Sequence, residues 1–194
     1  MIRIAKEADS AALAAIYGWY VENTAVSFEY EAPTPEEFRK RIREILQTHP
    51  FLVYEEEGEL LGYAYAHPLI RRKACDWAVE VSIYIRRDAR GKGIGKALYE
   101  ALENALRLQN ICTLEACVAS ADILDEYLTD DSVRFHNRIG YTQVGKMSDC
   151  GYKFGRWYHL LWLEKHIAPR KKNMKNMLKF PEIMEKCGES FGVK

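Results

Sequence analysis

The stretch from Val79 to Leu108 constrains this chain more than any other. Val79, Val81, Ile83 and Ile85 alternate with Glu80, Ser82 and Tyr84, the period of a strand whose two faces differ. Farther along, Ile94, Ala97, Leu98, Ala101, Leu102, Ala105 and Leu106 recur at helical spacing. Between them lies a basic turn containing Gly91, Gly93 and Gly95. Glycines let the backbone approach a ligand closely. The first N–H groups of a helix have no internal partner and point outward with the positive end of the dipole. Strand, glycine-rich turn and helix therefore make an anion site, and a pyrophosphate suits it. Arg86, Arg87, Arg90, Lys92 and Lys96 add positive charge.

Two familiar phosphate motifs do not fit. A P-loop needs G-x-x-x-x-G-K followed by Ser or Thr. Here only three residues separate Gly91 from Gly95-Lys96, and Ala97 follows, so no hydroxyl is available for magnesium. A dinucleotide fingerprint needs G-x-G-x-x-G. Gly91-Lys92-Gly93-Ile94-Gly95 brings its last glycine one residue too early.

The rest of the chain reads as alternating short elements. Ile2–Ile4 is a strand, and Asp9 or Ser10 caps a helix to about Tyr20. Thr34-Pro35-Glu36-Glu37 starts a second helix with a capping box, Pro35 in its first position. Phe51–Tyr54 and Leu60–Pro68 form a hairpin around Glu56-Glu57-Gly58, and Trp77–Ile85 follows as a strand. After the long helix come a strand over Ile111–Val118, a helix over Ser132–Ile139 stopped by Gly140, and strands near Tyr141–Met147 and Trp157–Leu163. This order implies an α/β fold, a mixed sheet with helices on both faces. The acidic connection 119–131 exceeds the usual ~4–6 residues and is either a site-shaping loop or a surface excursion.

Composition excludes several classes. The 28 basic and 28 acidic residues cancel, so nothing points to nucleic acid or an anionic membrane. Five scattered cysteines, an odd number without C-x-x-C or zinc spacing, fit reduced thiols in a cytoplasmic protein and no metal. No apolar run approaches the ~20 residues of a membrane span, and the first ten residues lack a signal-peptide core. One domain over residues 1–168 is expected. Residues 169–194 form a basic tail, with a net charge of +4 over 170–194, expected to be solvated and flexible or a short helix.

Arg90, Gly93 and Gly95 match the spacing R/Q-x-x-G-x-G/A. This resembles the acetyl-CoA pyrophosphate motif of the GNAT superfamily of N-acetyltransferases. W-x-x-E-x-x-I-Y-I at Trp77–Ile85, S-V-R-x-H-x-x-x-G-Y at Ser132–Tyr141, V-S-F-E with T-P-E-E in residues 26–37, and G-Y-K-x-G-x-W at Gly151–Trp157 resemble its phosphinothricin and methionine sulfone/sulfoximine acetyltransferase branch. The likeness spans residues 2–165.

The resemblance implies a single GNAT domain with a splayed, mostly antiparallel sheet. Acetyl-CoA would lie between parallel strands Trp77–Ile85 and Ile111–Val118 as acetyl donor. It would be held by Ile83, Tyr84, Ile85, Arg90, Gly91, Lys92, Gly93, Ile94, Gly95, Lys96, Thr129 and Ser132. Thr129 stands where relatives often carry Asn. Glu80 takes the position of the general base, and a carboxylate inside an apolar strand is costly unless paired or useful; an edge salt bridge is the other reading. His136 takes the position of the group that protonates the departing thiolate, or is a polar helix residue with a structural hydrogen bond. Phe28 and Arg72 match substrate-contacting positions, with simple core and surface charge as alternatives. Ile70 and Cys75 replace a Lys and a Tyr of the branch, so two substrate anchors are missing. An acetyl-enzyme on Cys75 finds no activating neighbour in sequence. The expected acceptor is a small-molecule amine and the expected assembly a homodimer; a protein or peptide N-acetyltransferase and a non-catalytic CoA-binding module are the rivals.

Overall fold

The computed structural model describes residues 1–184. The strands are β1 (Ile2–Ile4), β2 (Phe51–Glu56), β3 (Glu59–Pro68), β4 (Ala78–Ile85), β5 (Thr113–Ser120), β6 (Thr142–Lys153) and β7 (Arg156–His166). The helices are α1 (Ser10–Asn23), α2 (Pro35–Leu46), α3 (Ile94–Leu108) and α4 (Asp131–Arg138). Their order along the chain is the one the periodicities predict. The strands form one seven-stranded sheet, β1-β2-β3-β4-β5-β7-β6. Every neighbouring pair is antiparallel except β4–β5.

Local chemistry sets the start of α2, whereas the expected cap of α1 is not made, because the Asp9 carboxylate pairs with Arg3 and accepts from the Lys6 N–H. Thr34 Oγ1 accepts from the Glu37 N–H at 3.2 Å, and the Glu37 carboxylate accepts from the Thr34 N–H at 2.7 Å. The capping box thus satisfies two donors that α2 itself leaves without partners. The helices cover both faces. Leu98, Leu102, Ala105 and Leu106 of α3 bury against Val79, Val81, Leu114, Ala116 and Leu163. On the other face Tyr17, Tyr20, Phe38 and Ile42 of α1 and α2 pack on Phe51, Val53 and Tyr63. A smaller cluster of Ala25, Ala119, Leu128 and Tyr158 joins the end of α1 to the 121–130 connection.

Two expectations change. Strand β6 runs six residues past Met147, although Ser148–Cys150 carries no apolar alternation; pairing with β7 carries it on, across a register shift between Met147 and Gly151. The charged tail is not simply solvated over its described part. Trp77 Nε1 donates to the Lys175 carbonyl and Asn110 Nδ2 to that of Asn176, both at 2.8 Å. Gln109 Nε2 donates to Leu178 and Thr48 at 2.6 and 2.8 Å. Residues 180–184 are helical, and Phe180 and Ile183 join the core under α3. Apolar residues spaced among lysines do this, and net charge hides them. Residues 185–194 and Cys187 lie outside the described residues.

Candidate active site

Strands β4 and β5 pair only at Ala78–Thr113, Val79–Leu114 and Glu80–Glu115. Both continue beyond that point, to Ile85 and Ser120, so they diverge. A narrow cavity of about 50 Å³ fills the divergence, lined by Ser82, Ile83 and Tyr84 on one side and Cys117, Val118 and Ala119 on the other. Leu128 from the acidic connection, Ser132, His136 and Tyr99 close its end. Backbone groups of β4 that a sheet would pair are turned toward this gap. Ile83, Tyr84 and Ser132, expected at a cofactor, line it.

At the end of β4 the chain turns into α3. Gly91 and Gly93 have φ of 76° and 81°, in the left-handed region that side chains with a Cβ adopt at a cost. Gly93 is the N-cap of α3 and supplies no side-chain acceptor, so the first-turn N–H groups are not capped from within. A Cβ on Gly95 would stand 3.1 Å from the Phe135 ring; glycine there lets α4 approach the first turn of α3. Arg90 Nε donates to the Tyr20 hydroxyl at 3.2 Å, with its guanidinium 5.0 Å from the Tyr20 ring centroid. Arg87 lies over Trp19 at 5.3 Å. Lys92 and Lys96 are exposed beside the turn. Arg86 does not add free charge: it pairs with Glu59 and Asp88, each at 2.7 Å.

Glu80 follows the alternation onto the face of Tyr63, Tyr65 and Tyr84, opposite α3. Its side chain is 24% exposed, and its Oε2 is 3.8 Å from His67 Nε2. Glu80 is the last β4 residue paired with β5, and the cavity opens just beyond it, lined from Val81 onward.

His136 is 3% exposed. Its Nδ1 lies 2.7 Å from the Ser132 carbonyl and its Nε2 3.0 Å from the Tyr99 hydroxyl. A carbonyl only accepts, so Nδ1 carries the proton and Tyr99 donates to Nε2. Burial lowers the imidazole pKa from 6.5, and the ring is neutral at pH 7. Tyr99 was missed by sequence reasoning because its position in α3 reads as core. Thr129 donates to the Asp131 carboxylate at 2.9 Å and braces the start of α4. Phe28 packs on Gly151 and Tyr158. Arg72 is exposed on the segment between β3 and β4; neither it nor Phe28 lines the gap. Burial pushes the Cys117 thiol up to about 12, which leaves it inert as a nucleophile near neutrality.

A mixed sheet that splays beside a glycine-rich helix N-terminus is the arrangement of acyl-CoA-binding transferases. Residues 2–162 match the family model described as acetyltransferase (GNAT) domain. The chain is 35% identical over 157 residues to phosphinothricin N-acetyltransferase of Streptomyces viridochromogenes, covering 81% of this chain and 82% of that protein. It is 32% identical over 173 residues to the L-methionine sulfoximine/L-methionine sulfone acetyltransferase of Pseudomonas aeruginosa, covering 87% and 95%. A GNAT superfamily phosphinothricin acetyltransferase from Sinorhizobium meliloti, solved with acetyl-CoA, superposes with a TM-score of 0.80 at 28% identity over 93% of this chain and 97% of that one. The chain belongs to the GNAT acetyltransferase family. It is an acetyl-CoA-dependent N-acetyltransferase.

Proposed function

We propose that this enzyme acetylates the amine of a small molecule, an amino acid or close analogue, by direct attack on acetyl-CoA with Glu80 as base. The observation that carries the reading is the divergence of β4 and β5 just past Glu80, on the strand that leads into the glycine turn. The relatives' names, phosphinothricin and methionine sulfoximine or sulfone acetyltransferases, support the substrate class. The residues present suit the donor: open left-handed glycines before an uncapped helix N-terminus for pyrophosphate, and a narrow passage for an extended arm.

Gly91, Lys92, Gly93, Ile94, Gly95 and Lys96 would hold the diphosphate, with Arg90 braced on Tyr20 beside them. Ile83, Tyr84, Ile85, Thr129 and Ser132 would flank the arm. Bound acetyl-CoA supplies the acetyl group as a thioester, already activated for acyl transfer. Glu80 takes the proton that an ammonium must lose before its nitrogen can attack. Unpaired β4 N–H groups face the gap, where a developing oxyanion is stabilised by preorganised donors. Phe28 and Arg72 contact the acceptor in this reading, Arg72 through a carboxylate. His136 returns a proton to the thiolate in its imidazolium form. Burial disfavours that form, so its contribution is confined to pH below 6.5. A cytoplasmic location draws support from the free thiols Cys75, Cys112, Cys117 and Cys150. A homodimer draws it from the exposed Met147, Tyr152 and Trp157 on the β6–β7 hairpin, which light scattering would read directly.

The test is a mass-spectrometric acetylation assay over amino acids, sulfones, sulfoximines, polyamines and peptides. A small amine is the expected product, and Glu80→Gln should lower its rate by roughly 10²–10⁴, the usual worth of general acid–base catalysis, with acetyl-CoA affinity retained. Acetylation of peptides alone would overturn the substrate class, and an unimpaired Glu80→Gln would remove Glu80 from the mechanism.

A further inference from the structure

Glu80 does not stand alone on its face of the sheet. The register puts His67 of β3, Glu80 of β4, Glu115 of β5 and Glu164 of β7 side by side in one row. Cross-strand neighbours on one face stand roughly 5 Å apart at Cβ. Three carboxyls therefore adjoin, and among the described residues no Lys or Arg pairs with any of them. The row ends in two imidazoles: His67 near Glu80, and His166 with Nε2 3.1 Å from Glu164 Oε1. The middle member is the buried one. Glu115 is 8% exposed, and its Oε2 has no hydrogen-bond partner among the described residues. An ionised carboxylate in that position would lack both water and a counter-ion.

We propose that Glu115 is a positioning residue that acts on Glu80 through its charge, the adjoining carboxylate making Glu80 a stronger base than it would be alone. This rests on the reading of Glu80 as base. The ammonium N–H bond breaks and an O–H bond forms on Glu80; the freed nitrogen lone pair is the nucleophile. The proton on Glu80 is then stabilised by the negative charge of its neighbour, and leaves to solvent through the partly exposed Glu80. Burial first, and then the adjoining carboxyls of Glu164 and Glu80, push the Glu115 carboxyl up to about 7. Glu115 thus becomes a full negative charge beside Glu80 only as the pH rises through neutrality, where a stronger base is best matched to proton transfer from an amine. The other groups that face the pair are Tyr65 and His67 on β3, Cys117 on β5, and Glu164 and His166 on β7. The nearest fixed cation among the described residues is Arg170, which lies behind His166 with its Nη2 2.6 Å from Nε2 and forms no ion pair with Glu80, Glu115 or Glu164. Glu115 carried a signal that sequence reasoning applied only to Glu80: a carboxylate inside an apolar strand.

The experiment titrates the side-chain carboxyls of the full chain by carbon-13 NMR, with Glu80→Gln and Glu115→Gln as assignments. It is paired with pH profiles of kcat/KM for L-methionine sulfone. The expected result is a carboxyl that titrates near pH 7, disappears in Glu115→Gln and moves to lower pH in Glu80→Gln. In the kinetics, Glu115→Gln should shift the acidic limb down toward the ordinary carboxylate range and lower the rate above pH 7 roughly tenfold, as a weaker base does. The KM for acetyl-CoA should stay within about twofold. If Glu115→Gln does not fold, Glu164→Gln serves, since loss of that neighbour should lower the Glu115 midpoint. A Glu115 midpoint in the ordinary carboxylate range, or one that Glu80→Gln leaves unmoved, overturns the pairing. A Glu80→Gln enzyme with full rate overturns the base reading instead, whatever the titration shows.

Discussion

Replacing Phe180 by Ala tests how firmly the tail is part of the enzyme. Phe180 has no exposed surface and belongs to the core cluster under α3. Its backbone N–H donates to the Thr48 carbonyl at 3.0 Å, and the preceding turn is tied to Gln109 at the end of α3. Truncating a fully buried Phe costs about 3–5 kcal/mol when the surroundings cannot collapse. For a chain of this size, each kcal/mol lowers Tm by roughly 2–4 °C, so a fall of about 6–20 °C is expected. The loss cannot exceed the free energy that docks the tail, because beyond that value the tail detaches instead. Helix α3 separates Gln109 from the glycine turn by 15 residues, roughly 22 Å at 1.5 Å per residue. Acetyl-CoA affinity at 20 °C should therefore be unchanged. Calorimetric melting and isothermal titration measure the two quantities. A drop below 2 °C would refute the reasoning: it would mean that the tail is held so weakly that its release absorbs the cavity.

Gly93→Val places a β-branched residue at φ 81° and should weaken acetyl-CoA binding at least tenfold in titration calorimetry, since the strained turn closes over the helix N–H groups. Lys153→Met removes a buried ammonium that donates to the carbonyls of Val21, Thr24 and Ser27 at 2.7, 3.1 and 2.8 Å; denaturant melts should show a loss of about 2–4 kcal/mol, with a raised acceptor KM because residues 24–28 lose their anchor. Arg72→Ala should raise the KM of an amino-acid acceptor and leave that of acetyl-CoA in place; the reverse pattern in steady-state kinetics would move Arg72 to the cofactor. His136→Ala should cost less rate than Glu80→Gln, and its defect should be greatest in acid and shrink as pH rises toward 6.5, because burial lowers the pKa at which the wild-type imidazole loses its proton; a defect that deepens with pH would contradict the acid role.

What the sequence determined by itself was everything carried by neighbours along the chain. The alternation in Val79–Ile85, the periodicity of Ile94–Leu106 and the Thr34–Glu37 box depend on residues a few positions apart, and all appear as read. The glycine turn was legible for the same reason, since left-handed φ values and an uncapped helix start are local properties. Tertiary structure alone decided which residues share a row, because strand register joins positions as distant as Glu80, Glu115 and Glu164. It also decided which cations are free: Arg86 is tied to Glu59 from the β2–β3 hairpin, while Arg90 rests on Tyr20 of α1. The partner of His136 Nε2 is Tyr99, which lies 37 residues earlier in the chain. The tail followed the same rule. Its charge is a sum over residues, but its place is set by where Phe180 and Ile183 find apolar surface, and that surface exists only once the sheet and α3 have formed.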